Sequence, residues 1–244
     1  MRVISLVPSI TETLFDLGLT VEDIVGRTKF CIHPSDWVDK VEIIGGTKNL
    51  NINKIKLLNP DLIIANKEEN VKEQVEELMQ DFKVLVTNVE TLEDNYYLLK
   101  QLGHIFGKEE NAQHFNLKTY EAFDIQKSEK RLKVAYMIWK NPYMTIGGDT
   151  FISRILEELG FENLFKNQIR YPEVQLEDLK EADFIFLSSE PFPFQEKHIA
   201  EIKEVCQNQK IKIVDGEAFS WYGTHLAKCG EYYRKLSDEI NFLR

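Results

Sequence analysis

Short apolar runs rich in β-branched residues alternate with segments of helical periodicity, and this alternation restricts the fold of the chain more than any other feature. The runs lie at residues 3–7, 61–65, 83–87, 132–139, 183–187 and 211–214. Helical patterns follow them. Strands separated by helices pair in parallel, because the crossover returns the chain to the same end of the sheet. The sequence therefore predicts an α/β fold with mostly parallel sheets flanked by helices.

Helix boundaries can be predicted from capping residues. Ser9 and Glu12 have the spacing of a capping box, and Gly18 marks the end of that helix. Thr91 is placed to start a helix that continues toward Gly107. We therefore expect the first strand to lead directly into a short helix, and a longer helix to begin at residue 91.

A single long helix is predicted in the middle of the chain. Residues 108–127 contain no glycine or proline, and Ala112, Phe115, Thr119 and Ala122 recur at helical spacing. Twenty residues of helix would span about 30 Å. We predict an N-terminal α/β lobe at 1–106, a linking helix at 107–130 and a C-terminal α/β lobe at 131–244. A weak sequence similarity between residues 61–68 and 183–190 supports two matching lobes.

Charge and hydropathy exclude several classes of partner. The 244 residues include 40 acidic and 30 basic side chains, for a net charge of -10. This charge disfavours binding to nucleic acid and to anionic membranes. No run of about 18 apolar residues could cross a bilayer, so no membrane insertion is expected. No signal peptide is recognised after Met1; we predict a cytoplasmic protein as written, or a periplasmic one if a leader has been removed.

The cysteines do not indicate a disulfide framework or a zinc site. Cys31, Cys206 and Cys229 are odd in number and widely separated. Buried thiols in a reducing compartment are the favoured interpretation. Phosphate-binding glycine loops, nucleophile elbows and zinc-protease motifs are absent from the sequence. The sequence thus offers no sign of an enzyme.

Aromatic residues and prolines are concentrated in loops that follow the predicted strands. These loops hold Trp139 and Trp221, two of the three tryptophans, at residues 139–143 and 215–225. In open α/β sheets ligands bind beyond the carboxyl ends of the strands. Rigid rings there would suit a large flat ligand held between the lobes, although they could instead close the ends of each lobe.

Two histidines are candidates for metal binding. Imidazole binds iron, cobalt and zinc, and His33 and His225 both lie in the loops in question. Each could equally serve a local structural role, His33 by bonding a carbonyl and His225 as a helix cap. His104, His114 and His198 lie on charged helical faces and are expected to be solvated. We predict no metal site built by the chain itself.

The sequence resembles the class III substrate-binding proteins, the helical-backbone receptors that serve cobalamin, haem and iron-siderophore importers. The resemblance rests on residues 2–18, 25–27, 45–48, 58–65, 147–151 and 162–165. It covers nearly the whole chain and implies two Rossmann-like lobes joined by one long helix, with ligand held between them. The cobalamin-binding branch is the most similar. Asn66 stands where that branch has a pocket tryptophan, and the chain also resembles a leaderless cytoplasmic branch.

The resemblance and the loop composition together define a candidate binding set. Similarity to the cobalamin branch implies pocket positions at Phe30, Trp139, Pro142 and Trp221. The same loops add further rings and polar anchors. The set comprises Phe30, His33, Glu68, Trp139, Pro142, Tyr143, Glu190, Trp221, Tyr222 and His225. In transporter-coupled members, glutamates of each lobe pair with the permease; the resemblance implies Glu69, Glu73 and Glu196 as candidates here, if the protein is exported.

Three hypotheses follow. The first is a non-catalytic binding protein for a metal-containing macrocycle or chelate, cobalamin before haem or ferric siderophore, with no covalently bound cofactor. The second is a cytoplasmic corrinoid- or metal-handling enzyme or metallochaperone that uses Cys31, His33 and His225. The third is an interaction module that uses acidic lobe tips.

Overall fold

A computed structural model describes residues 1–127 and 131–242 of the chain, the last two without their side chains. Its strands are β1 Val3–Ser5, β2 Ile24–Arg27, β3 Gly45–Gly46, β4 Asn49–Leu50, β5 Leu62–Asn66, β6 Val84–Thr87, β7 Lys133–Met137, β8 Glu162–Asn163, β9 Phe184–Ser188 and β10 Lys210–Val214. Its helices are α1 Pro8–Asp16, α2 Ser35–Val38, α3 Ile52–Leu58, α4 Lys72–Met79, α5 Leu92–Phe106, α6 Glu109–Phe123, α7 Phe151–Glu158, α8 Glu196–Val205, α9 Glu217–Ser220, α10 His225–Lys228 and α11 Gly230–Phe242.

The chain divides into two compact units. Unit 1 holds Met1–Tyr120 together with Trp221–Lys228, and unit 2 holds the described residues of Glu121–Ser220 and those from Cys229 onward. The chain therefore leaves unit 2 after residue 220, contributes eight residues to unit 1 and returns. The sequence analysis had assigned residues 221–228 to the C-terminal lobe.

Unit 1 contains a four-stranded parallel sheet in the order β2-β1-β5-β6. Val3 of β1 is in register with Leu62 of β5, and Ile63 of β5 with Val84 of β6. Ile4 and Ile64 of the two central strands are completely buried. Such strands are covered by helices on both faces, as the apolar runs predicted.

Unit 2 repeats this arrangement with a second four-stranded parallel sheet, in the order β10-β9-β7-β8. Phe184 of β9 is in register with both Val134 of β7 and Lys210 of β10. The buried side chains of β7 and β9 form the centre of its core. The α/β class with parallel sheets flanked by helices is confirmed.

Some helix starts match the prediction and one does not. Thr91 caps α5 through a capping box with Asp94, as its position predicted. The capping box predicted at Ser9 and Glu12 is wrong. Helix α1 begins one residue earlier, at Pro8, and Val7 precedes it without a side-chain cap. Proline suits the first helical turn because its missing N–H has no partner there, which leaves the Glu12 carboxylate available for a different contact.

The linking helix is shorter than predicted. Helix α5 ends at Gly107, whose φ of +64° is left-handed, and α6 then runs from Glu109 to Phe123. Residues 124–127 are not helical, and residues 128–130 of the predicted segment lie outside the described part of the chain. The boundary between the two units falls within α6, at residue 120.

The three cysteines are buried and unpaired with one another, as the sequence predicted. Within the described residues, no helix combines the length and apolar character needed to cross a bilayer.

Gly223 carries the returning segment into close contact with α1. Its φ is +80°, and a Cβ at this position would lie 2.0 Å from the Thr13 Oγ1 atom. Both conditions exclude a side chain. Gly107 differs, because it is also left-handed but an added Cβ would meet no atom within 4 Å.

We expect Gly223→Ala to destabilise the protein much more than Gly107→Ala. The Gly107 variant loses only the free energy needed to hold alanine in the left-handed backbone conformation, about 1 kcal/mol. The Gly223 variant adds a steric clash with the buried Thr13 side chain and is expected to cost about 3 kcal/mol or more. Urea denaturation followed by circular dichroism measures both, and equal losses would contradict the proposed close contact.

Candidate functional site

An aromatic and imidazole cluster lies in unit 1, where the returning segment meets the loop after β2. The Trp221 ring centroid is 5.4 Å from that of His33 and 5.3 Å from that of His225. The two imidazoles are stacked, with centroids 6.3 Å apart and planes inclined by 28°. Three predicted residues that are distant in sequence are therefore brought together. We call Trp221, His33 and His225 the ring cluster.

Glu12 of α1 fixes the orientation of His225. Its Oε2 atom lies 2.8 Å from His225 Nδ1, and its Oε1 atom accepts a hydrogen bond from Lys228 Nζ at 2.9 Å. The Glu12 side chain is only 6% exposed, so water screens these contacts weakly. An imidazole held through Nδ1 directs its other nitrogen away from the carboxylate.

Electrostatic contacts lower the pKa of Glu12. Burial by itself would raise the pKa, but the hydrogen bond and charge of His225, followed by those of Lys228, outweigh it. Asp16 belongs to the same cluster, since Lys228 Nζ also lies 2.5 Å from its Oδ2 atom. The carboxylate of Glu12 therefore stays ionised below its ordinary titration range.

Further hydrogen bonds hold the returning segment against unit 1. The Gly223 N–H donates to the Asn95 Oδ1 atom of α5, and the Thr224 N–H donates to Thr13 Oγ1 at 3.1 Å. The Thr224 hydroxyl donates to Asp16. The ring cluster thus has a rigid support, with α1 on one side and α5 on the other.

Tyr222 points into unit 1 beside Trp221. Its hydroxyl donates to Glu69 Oε1 at 3.2 Å. Burial raises the pKa of Tyr222 well above its ordinary value, and the Glu69 carboxylate adds to the rise. Glu69, predicted for partner docking, is therefore engaged in an internal contact; whether it also docks a partner stays a prediction.

The loop after β2 displays apolar side chains on one side and buries its thiol on the other. Phe30 is 50% exposed and its neighbour Ile32 is also exposed, whereas Cys31 between them is completely buried. The Phe30 ring packs over Gly46, where a Cβ would approach it to 3.2 Å. Lys29 places its ammonium 5.0 Å from the centroid of the same ring.

Cys31 does not join the two histidines in a metal site. Its sulfur is hydrogen-bonded to the hydroxyls of Thr11 and Thr28, at 3.1 and 3.2 Å. Burial raises the pKa of the thiol. No group of three or more histidine, cysteine, aspartate or glutamate side chains suited to a metal occurs in the described residues. The Cys31, His33 and His225 set proposed for a metallochaperone has no support.

Asn66 has a structural role. Its Oδ1 atom accepts hydrogen bonds from the N–H groups of Glu68 and Glu69, and its Nδ2 atom donates to Thr87. The side chain is buried within the loop that follows β5. Lys48 also holds this loop, by donating to the Glu68 carbonyl at 2.7 Å. Glu68 itself is half-buried.

Unit 2 carries its own aromatic surface. Trp139 is 40% exposed and meets Phe192 edge-on at 5.8 Å. Phe192 packs in turn against Phe194 and His198. The expectation that His198 is solvated is wrong: it is buried against Phe192 and Phe194, and its Nδ1 atom accepts the Gln195 N–H at the start of α8.

The remaining predicted residues of unit 2 lie on the surrounding loops. Tyr143 donates to Glu201 Oε1 at 2.9 Å, and Lys140 pairs with the other oxygen of Glu201. Pro142 is exposed beside Tyr143. Glu190 is half-buried and accepts a hydrogen bond from the Ser220 hydroxyl at 2.7 Å.

The docking candidates Glu73 and Glu196 are exposed in the first turns of α4 and α8. Carboxylates at these positions are favoured by the helix dipole even without a partner. The sequence analysis missed Glu12 and Glu201 as supporting residues. Glu12 was noticed only as part of a capping box, and Glu201 carried no signal that set it apart from the other carboxylates of its helix.

The family of the chain follows from its sequence. The profile of the family described as "Periplasmic binding protein" matches residues 3–208. The chain belongs to this family, and the predicted resemblance to class III substrate-binding proteins is confirmed. It is a substrate-binding protein and not an enzyme.

Known relatives and solved structures agree with this assignment. The vitamin B12-binding protein of Salmonella typhimurium is 29% identical over 184 residues, 73% of this chain and 68% of that protein. The periplasmic vitamin B12 binding protein of Vibrio cholerae has a TM-score of 0.80 at 21% identity, over 98% of both chains. The periplasmic haem binding protein of Vibrio cholerae has a TM-score of 0.79 at 20% identity, over 97% of this chain and 98% of that one. The two structures establish the fold.

We expect Glu12→Gln to weaken the protein at neutral pH and to flatten the acid side of its stability profile. A carboxylate whose pKa is lowered in the folded state contributes stability above its ordinary pKa of 4.5. That contribution is lost as the pH falls through the folded value. The neutral amide has no such proton linkage and should cost about 2 kcal/mol near pH 7.

Urea denaturation between pH 3 and pH 7 measures this effect. Glu110→Gln, which alters an exposed carboxylate in the first turn of α6, is the matched control. Coincident profiles for Glu12→Gln and the unaltered protein would show that the Glu12 contacts do not stabilise the fold.

Proposed function

We propose that the protein binds a metal-containing macrocycle, a corrinoid in the first place and haem in the second. The observation that carries this proposal is the ring cluster of unit 1 with the exposed Phe30 on the loop that also bears His33. Aromatic side chains held rigidly offer a broad contact area at small entropic cost.

The energetics of such a surface suit a large, flat ligand. Each Å² of apolar surface removed from water contributes about 25 cal/mol. A macrocycle presents a face large enough to cover the Phe30 ring together with the polar groups around it, whereas a small polar solute would leave that ring in water. Orientation would come from a few polar groups, among them the imidazoles of the ring cluster and the predicted anchor Glu68.

The charge of the chain favours one kind of ligand over another. A net charge of -10 attracts cationic ligands and tolerates neutral ones. Cobalamins carry little net charge, whereas ferric catecholate siderophores are strongly anionic. The balance of charge therefore supports a corrinoid before a ferric siderophore.

The relatives support the same ligand class. Curated proteins that match most of the chain are named as vitamin B12-binding proteins, and solved structures of the same fold are named as haem-binding. Asn66 weighs on the choice within the class. Its side chain is occupied in the loop after β5, so the aromatic contact that we propose for unit 1 comes mainly from the exposed ring of Phe30, since Trp221 is only 8% exposed.

Trp139, with Pro142 and Tyr143, is proposed as a further contact surface of unit 2. Its exposed ring is steadied by Phe192, and Lys140 with Glu201 fixes the loop that bears it. We also propose that Glu73 and Glu196 are docking carboxylates for an ABC permease. This role requires the protein to be outside the cytoplasm, and the location of the protein stays a prediction.

Titration with cyanocobalamin, dicyanocobinamide and haemin tests the proposal. Binding is followed by the visible spectrum of each ligand and by quenching of tryptophan fluorescence. We expect saturable binding of at least one corrinoid. Silence with all three probes would refute the proposed function.

We expect Phe30→Ala to weaken corrinoid binding about fivefold without loss of stability. The half-exposed ring has little core to lose, and covering its free face is worth about 1 kcal/mol. Tyr97→Ala, which removes a ring that is 55% exposed on α5, is the matched control and should leave the affinity unchanged. An equal effect of both variants would remove Phe30 from the site.

A further inference from the structure

The guanidinium of Arg27 is buried at the end of β2, directly before the loop that bears Phe30 and His33. The residue is only 5% exposed. A charge in such a place is costly unless every donor finds a partner. The burial of Arg27 directly before the candidate binding loop therefore needs an explanation.

The partners of Arg27 are mainly carbonyl groups of the loop itself. Its Nε atom donates to Val38 O at 2.8 Å, and one terminal nitrogen donates to Cys31 O at 3.1 Å and to Thr28 O at 3.3 Å. The other terminal nitrogen pairs with Asp39 Oδ1 at 3.3 Å. Three backbone carbonyls and one carboxylate of residues 28 to 39 thus surround the Arg27 guanidinium.

This arrangement determines which way the loop side chains point. With the carbonyls of Thr28 and Cys31 turned inward, the Cys31 thiol is also held inside by Thr11 and Thr28. The intervening Phe30 is directed outward. Loss of the carbonyl contacts would free the loop to rotate and would remove the constraint on Phe30 and His33.

We propose that Arg27 is a positioning residue that fixes the loop after β2 so that Phe30 and His33 are presented to the ligand. The part of this proposal that concerns affinity rests on the proposed function, whereas the part that concerns the loop does not. In this role Arg27 acts through the backbone of the loop, and not by contact with the ring cluster or with the ligand.

A lysine cannot replace this arginine. The planar guanidinium directs its N–H groups along fixed and divergent directions, which matches carbonyls from three separate points of the loop. An ammonium is a compact point charge and reaches fewer of them from the same backbone position. Arg27→Lys therefore keeps the charge but loses the spread of donors.

The decisive measurement is the native-state labelling rate of Cys31 by a neutral thiol reagent, read by mass spectrometry of the digested protein. The Cys31 thiol lies on the buried side of the loop, so its labelling reports local opening of the loop. Cys206 and Cys229 are also buried and belong to unit 2, so they serve as internal reporters of opening of unit 2 or of the whole protein. Arg154→Lys, an exposed arginine paired with Glu157, is the matched control.

We expect Arg27→Lys to raise the labelling rate of Cys31 about tenfold, to leave Cys206 and Cys229 unchanged, and to weaken cyanocobalamin binding by a similar factor. Loss of one charge-assisted hydrogen bond is of this size. Arg154→Lys should change none of these quantities. An unchanged labelling rate of Cys31 in Arg27→Lys, or an equal rise for all three cysteines, would overturn the proposal.

Two further outcomes are separated by this design. If the unaltered protein binds neither cyanocobalamin, dicyanocobinamide nor haemin, the proposed function fails while the Cys31 rate still decides whether Arg27 fixes the loop. If Arg27→Lys does not fold, Asp39→Asn tests the same idea. It keeps the three carbonyl contacts but removes the carboxylate that orients the guanidinium, so we expect a smaller rise at Cys31 alone, and no rise would count against the proposal.

Discussion

The buried carboxylate of Glu12 is the interaction on which the candidate site of unit 1 depends. It holds His225 through one oxygen and Lys228 through the other, and so attaches the returning segment to α1. Together with the hydrogen bonds of Tyr222, Gly223 and Thr224, this attachment brings residues that are distant in the chain onto one surface. The electrostatic gain is large enough to keep Glu12 ionised despite its burial. The position of the ring cluster is therefore a consequence of a charge cluster at its base.

Two kinds of support meet at this site. The returning segment is held by side-chain contacts to α1 and α5, whereas the loop after β2 is held by its own carbonyls around Arg27. The backbone of both segments is constrained; the Phe30 ring of the loop stays half exposed, whereas Trp221 of the returning segment is buried. A binding surface that is already ordered loses less entropy when a ligand arrives. This property suits a family whose members bind and carry substrates without transforming them.

The structure changes the roles of several residues that the sequence had grouped together. Glu69 was a candidate for partner docking, and the structure adds an internal contact, because it accepts the hydroxyl of the buried Tyr222. Cys31 was considered with the histidines as a ligand, yet its sulfur lies inside between two threonine hydroxyls. His198 was expected in water, yet it packs among Phe192 and Phe194. In each case the residue type was noticed correctly, and the direction of the side chain was set by neighbours from other elements.

The sequence by itself determined the α/β class, the parallel sheets, the family and most of the strands. These follow from local periodicity, because a buried parallel strand is apolar on both faces and its crossover needs a helix. It also indicated the loops that bear Phe30, Trp139 and Trp221, since aromatic residues beside prolines stand out locally. Only the tertiary structure decided that residues 221–228 belong to unit 1, that Glu12 is not a helix cap and that Arg27 is buried beneath a loop. These depend on contacts between distant segments, and no local pattern records which partner a buried charge will find.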